Sequence, residues 1–326
     1  MSSTGSGPPR KRPAARRHPL ATPREIRRRI LSISNLGQVT RALQAVAASK
    51  VRRAQEAAAA TRAYAQRAWE FVASISSVTD EELHPLLTRR SPVEHVTVVL
   101  ISGERGLCGA YNHNVVRTAE DFAQKRGLPV RYISVGRRGR DHLWRAGEQI
   151  VAEFEGLPAA PSMADITPIA RAAMDEFLEQ RADEVYLART DFINLLKQRP
   201  VIQRLLPLRP SEFETQVMAE YIVDTKPAPA EDYIFEPDAA TVLESVLLRF
   251  TELQVYQALL EAQASEHAAR MVAMRNATEN AWALVDELTL LYNKARQQSI
   301  TRELLDIAGG AEALTQAAAR SRSRSQ

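Results

Sequence analysis

The sequence predicts an α/β protein in which a long antiparallel coiled coil, formed by the N- and C-terminal helices, carries an inserted Rossmann-like parallel-sheet domain. Three observations predict it: long proline-free stretches rich in helix formers near both ends, a heptad register in the second of them, and β-rich runs alternating with helical patterns between them. The boundaries that follow are a basic extension over 1–23, a coiled-coil helix over 24–84, the α/β domain over 85–237, a second coiled-coil helix over 238–314 and a tail over 315–326.

The extension is cut by Pro8, Pro9, Pro13, Pro19 and Pro23, and carries Arg10, Lys11, Arg12, Arg16 and Arg17 without an acidic residue. Leu20 is its one large aliphatic side chain besides Met1, so burial cannot repay the entropy of ordering it and disorder is expected. Its arginines also suit an organellar transit peptide, but the prolines spoil the amphipathic helix such a peptide forms. The Ser/Arg-rich end after Leu314 is expected to fray in the same way.

Between Pro23 and Pro85 no proline interrupts a segment rich in Ala, Arg, Gln and Leu. Ile26, Ile30, Ile33, Leu36, Val39, Leu43 and Val46 recur every three or four residues and predict one apolar stripe, with Gly37 as its weak point. The second segment, about Ala239 to Ile307, lacks glycine as well as proline. Steps of four and three from Val246 visit Phe250, Leu253, Leu260, Ala264, Met271, Met274, Ala281, Val285, Leu288, Tyr292 and Ala295; Gln257, His267 and Thr278 are the polar positions on that line. Helices of these lengths would reach roughly 80 and 100 Å, far beyond the width of an ordinary domain. Two such helices bury their stripes most simply by folding antiparallel against each other.

The middle of the chain has another texture. Val96–Ile101, Val130–Val135, Glu184–Arg189 and Val201–Leu208 are short β-branched and aliphatic runs that read as strands. Helical patterns around 114–126, 139–146 and 166–180 lie between them, the alternation of a parallel sheet. After the first strand, Gly103, Gly106 and Gly109 are spaced by threes, which fits neither the dinucleotide fingerprint nor a phosphate loop. The turn is instead expected to be a tight strand-to-helix connection with Asn112 or Asn114 capping the helix.

Composition excludes several functions. The 43 basic and 39 acidic residues leave an excess of only four, too small to demand a polyanionic partner. The bias is local: from Glu25 to Arg53, Glu25 alone opposes Arg27, Arg28, Arg29, Arg41, Lys50, Arg52 and Arg53, which leaves a basic-helix nucleic-acid-binding protein as the alternative reading. Cys108 is the only cysteine, so neither an intrachain disulfide nor a cysteine-built metal site can form. The histidines show no i, i+4 pair, and His267 on the heptad line suits a packed polar residue better than a ligand. The acidic cluster Asp80, Glu81 and Glu82 reads as a solvated helix end, and no nucleophile elbow is present. No apolar run approaches the roughly 20 residues of a spanning helix, so a role at a membrane would have to come through partners.

Several segments together resemble the ATP synthase gamma subunit family. They are REIRRRILSISNLGQVTRALQAVAASKVRRAQ (Arg24–Gln55), GERGLCGAYNHNV (Gly103–Val115), GRRGRD (Gly136–Asp141), YIFEPD (Tyr233–Asp238), ASEHAARMVAMRNATENA (Ala264–Ala281) and YNKARQQSITRELLDIAGGAEAL (Tyr292–Leu314). Ile300, Thr301, Glu303, Asp306, Gly310, Ala311 and Ala313 fall at the spacings of the family signature. The resemblance implies a central-stalk rotor: the coiled coil enters a ring of three alpha and three beta subunits, and the α/β domain sits on the membrane c-ring, with an epsilon subunit alongside. It implies no cofactor, metal or catalytic residue in this chain, since the chemistry belongs to beta, and a peripheral position on the cytoplasmic face of a bacterial cell membrane. It also implies that Arg296, Gln297 and Thr301, with Glu303 nearby, meet a beta-subunit loop, and that Leu43 faces the beta-subunit lever region. The cysteine pair of chloroplast relatives has no counterpart, which removes a light-dependent disulfide switch.

Overall fold

The computed structural model describes residues 22–76, 84–208 and 239–323, with side chains over 22–61, 84–208 and 241–314. The extension over 1–21, the cluster Asp80–Glu82 and the segment Tyr233–Asp238 lie outside the described residues. The first helix, α1, spans Pro23–Ser76. It starts there because Thr22 and Glu25 form a reciprocal cap: the Thr22 N–H donates to Glu25 Oε2 at 2.9 Å and the Glu25 N–H to Thr22 Oγ1 at 3.4 Å. Pro23 takes the first helical position, where its missing N–H costs nothing.

Among the described residues, five strands and three shorter helices follow: β1 (Val96–Ile101), α2 (Tyr111–Arg126), β2 (Val130–Val135), α3 (Arg137–Ala146), β3 (Gln149–Phe154), α4 (Met163–Leu178), β4 (Glu184–Phe192) and β5 (Gln198–Leu206). They form one sheet in the order β3-β2-β1-β4-β5. β1 pairs in parallel with β2 and β4, and β2 with β3, as the alternation predicts. β5 is antiparallel to β4, against the parallel expectation. The reason is the connection: the segment 193–197 is too short for a crossover, and Asn194 Oδ1 tightens it by accepting the Leu196 and Lys197 N–H groups at 2.9 and 2.8 Å. β3, which the strand pattern did not single out, is a partly exposed edge strand with Glu153 in its ladder.

β1 is buried along its whole length because helices cover both faces of the sheet. On one face Val99 and Ile101 pack with Ile166, Ile169 and Phe177 of α4 and with Leu243, Leu247, Phe250 and Leu259 of the last helix, α5 (Ala239–Ser323). On the other, Val96, Val98 and Leu100 meet Val115, Val116 and Ala119 of α2 and Leu143 of α3. α5 is helical past Leu314, where the tail was expected to begin.

The chain divides into two compact units, Thr40–Ala277 and the remainder, Met1–Val39 with Thr278–Gln326. The sheet's core takes α5 residues from Leu243 to Ala262. Within the larger unit the buried α1 side chains are Thr40, Ala47, Val51, Ala54 and Ala58. Within the smaller one Ile26 is buried, and Gly37 lies where an added Cβ would be 3.4 Å from Ala281 Cβ. This corrects the stripe expected for α1: Leu36, Val39 and Val46 are more than half exposed, and small residues take the seam. On α5 the heptad line is buried as the register predicts, at Phe250, Leu253, Leu260, Ala264, His267, Met274, Thr278 and Ala281.

Candidate functional site

The turn after β1 is the first candidate. Ser102 organises it: its hydroxyl accepts the Gly139 N–H at 2.8 Å and lies 3.2 Å from the carbonyls of Val135 and Gly136, so one side chain ties β1 to the start of α3. The Gly103 N–H donates to Asn112 Oδ1 at 2.8 Å. Asn112 therefore holds the turn and does not cap α2, whose N-cap is Ala110 without a side-chain cap; the expectation of an Asn112 or Asn114 cap is corrected. From α5, Arg270 Nη2 donates to the carbonyls of Arg105 and Gly106, both at 3.4 Å, and pairs with Glu266 one turn earlier.

The same contacts decide the chemistry of the turn. A Cβ at Gly103 would lie 2.8 Å from Glu266 Oε1. The space against this glycine is therefore filled by a carboxylate, where a nucleotide would have to place a phosphate of the same sign. Burial pushes the Cys108 thiol above its ordinary pKa, away from a reactive thiolate. A cavity of about 270 Å³ behind the turn is lined by Cys108, Tyr111, Asn114, Thr190, Val272 and Asn276, none of them charged. Among the described residues no group of three or more His, Cys, Asp or Glu side chains could hold a metal. No described helix is long and apolar enough to cross a membrane.

The second candidate is the distal part of α5, in the smaller unit. From Ile300 to Leu314 every side chain is exposed, including Leu304, Leu305, Ile307 and Leu314 at 63–74%. Large aliphatic side chains exposed on successive turns form an apolar surface of the kind that interaction sites present. Arg296, Gln297, Thr301 and Glu303 stand on the same stretch, all exposed. Thr301 Oγ1 donates to the Gln297 carbonyl at 3.0 Å and Ser299 Oγ to Glu303 Oε1 at 3.3 Å. Each is a local i, i+4 bond within the helix. Leu43 belongs to the larger unit, half-buried on α1.

A chain with two long helices and an α/β sheet between them has counterparts among known proteins. A family model described as ATP synthase matches residues 22–314. The ATP synthase gamma chain of Dehalococcoides mccartyi is 45% identical over 297 residues, covering 90% of this chain and 100% of the relative. The chain belongs to the ATP synthase gamma chain family. The gamma chain of Herpetosiphon aurantiacus is 43% identical over 307 residues, covering 91% of this chain and all of the relative. Among solved structures, a chain of the Euglena gracilis mitochondrial ATP synthase, in an assembly of OSCP, F1 and c-ring, shares the fold with a TM-score of 0.61 at 22% identity, covering 90% of this chain and 94% of that one. A chain of the Tetrahymena thermophila mitochondrial ATP synthase central stalk and c-ring aligns with a TM-score of 0.55 at 23% identity, over 73% and 99%.

Membership of the gamma chain family leaves the basic-helix nucleic-acid reading without support. Sequence reasoning missed the Glu266–Arg270 clamp, although both residues stand in the quoted ASEHAARM segment at i, i+4 spacing. It also missed the pairing of Arg189 with Glu261, for which no local signal exists across 72 positions.

Proposed function

We propose that this chain is the rotor of a rotary, proton-translocating ATP synthase, coupling rotation of a membrane c-ring to ATP synthesis and hydrolysis on other subunits. The observation that carries the reading is the distal part of α5, a family-matched helix that presents large aliphatic and polar side chains to solvent on every turn and needs a sleeve to cover them. Three alpha and three beta subunits supply that sleeve, an epsilon subunit and the c-ring meet the sheet domain, and the chain is peripheral on the cytoplasmic face of a bacterial cell membrane. An asymmetric shaft presents a different face to each beta subunit, so turning it biases each catalytic site through contacts that differ between states.

In this reading Arg296, Gln297 and Thr301 engage a beta-subunit loop in some rotary states, with Glu303 beside them, and Leu43 faces the beta-subunit lever. The test replaces Arg296, Gln297 and Thr301 together by Ala, which keeps helix propensity. The reconstituted complex is expected to assemble but to lose much of its multisite ATP turnover and proton pumping. Normal assembly with unchanged turnover and pumping removes these residues from the mechanism.

A further inference from the structure

One turn of α5 is fastened to the sheet by a polar network in otherwise apolar surroundings. Arg189 on β4 pairs with Glu261 on α5, and both residues are buried, at 7% and 8% exposed. Arg189 Nη1 also meets Asp191 Oδ1 at 2.5 Å, and Nη2 donates to Gln203 Oε1 on β5 at 3.2 Å. Glu261 Oε1 accepts the Gln257 side-chain N–H at 3.3 Å, and Asp191 Oδ2 lies 3.5 Å from Arg199 Nη2. On the same turn Ser265 Oγ donates to the Thr190 carbonyl and the Tyr111 hydroxyl to the Ala262 carbonyl, both at 3.0 Å. The neighbouring α5 residues Val255, Ala258, Leu259 and Ala262 belong to the apolar core.

Apolar burial is non-directional and scales with the area removed from water, so it ranks alternative registers less sharply than a charge does. A buried ion pair behaves oppositely. It adds little net stability over well-packed apolar residues, but separating its members leaves an uncompensated buried charge, so it resists displacement strongly. A shaft that carries torque into the sheet domain needs this second property.

We infer that the Arg189–Glu261 pair is the shear key of the rotor: it locks α5 to the sheet so that rotation passes between the shaft and the ring-bearing domain without slip. Both are positioning residues, and the inference rests on the rotor reading above. The test uses the assembled ATP synthase in lipid vesicles, with ATP hydrolysis and ATP-driven acidification measured on the same preparation. Arg189→Met combined with Glu261→Leu removes both charges at similar volume and leaves Asp191 its Arg199 partner. This complex is expected to assemble, to unfold at the wild-type temperature and to hydrolyse ATP at the wild-type rate, with a loss of protons pumped per ATP. Arg189→Lys, which keeps the pair as point charges, is expected to retain most of that ratio. An unchanged ratio in the apolar variant overturns the inference, as does an equal loss in Arg189→Lys. Failure of the apolar variant to assemble also overturns it, because the pair then serves folding. The rotor reading fails separately, if the wild-type chain itself supports no ATP-driven pumping.

Discussion

His267 makes the stability of the shaft depend on acid in a way that can be calculated. It sits on the heptad line of α5, 7% exposed, with Arg270 one turn away and Lys50 of α1 nearby. Burial, then Arg270, then Lys50 disfavour the imidazolium, and the pKa falls from 6.5 to about 4. In the unfolded chain the ring takes up its proton near 6.5, and in the folded chain only near 4. Between these values the unfolded state holds more protons, so stability falls as pH drops through the window and loses nothing further from this group below it. At about 1.4 kcal/mol per pH unit, the loss across the window comes to about 3 kcal/mol. His267→Met fills the site without a titrating group. Denaturant unfolding of the full chain, followed from about pH 7 to about pH 4, is expected to show the wild type losing about 3 kcal/mol more than the variant. Carboxylates titrating in the same window cancel in the comparison. Parallel pH profiles for the two proteins would refute the reasoning.

Two glycines give further tests. Gly136 has φ of 93°, and a Cβ there would lie 2.2 Å from the Ser102 carbonyl oxygen, so Gly136→Ala is expected to cost about 3 kcal/mol in chemical unfolding. At Gly37 the nearest atom to an added Cβ is 3.4 Å away, an ordinary contact, so Gly37→Ala is expected to raise the stability of the α1–α5 pairing by up to about 1 kcal/mol through helix propensity. Gly37→Leu is expected to drive the helices apart and to cost about 1–3 kcal/mol, read as a lower thermal midpoint.

The contrast between the two long helices shows what a sequence can carry. On α5 the heptad line was legible, because its large residues Phe250, Leu253, Leu260 and Met274 are all buried, although Leu243, Leu247, Val255 and Leu259 off the line are buried as well, against the sheet. On α1 the strongest hydrophobes, Leu36, Val39 and Val46, drew the stripe, yet Gly37, Thr40, Ala47 and Val51 took the buried positions. Periodicity ranks positions by hydrophobicity, whereas closeness of approach ranks them by size, and only the facing surface says which ranking applies. The distal candidates Arg296, Gln297, Thr301 and Glu303 are what the family resemblance implies. The structure places them on exposed turns of one helix, a placement that periodicity alone also implies.

The sequence by itself determined the order of strand and helix, the ends of β1 and β2, the heptad line of α5 and membership of the gamma chain family, because each is written in residues close together along the chain. The tertiary structure alone decided the antiparallel β5, the edge strand β3, the filling of the Gly103 face by Glu266, the use of Asn112 on the turn and the Arg189–Glu261 pair. Each of these joins groups distant in sequence or depends on which neighbour a short segment finds. Such pairings are set by the balance of burial and desolvation in the packed protein, and residue order carries no local record of it.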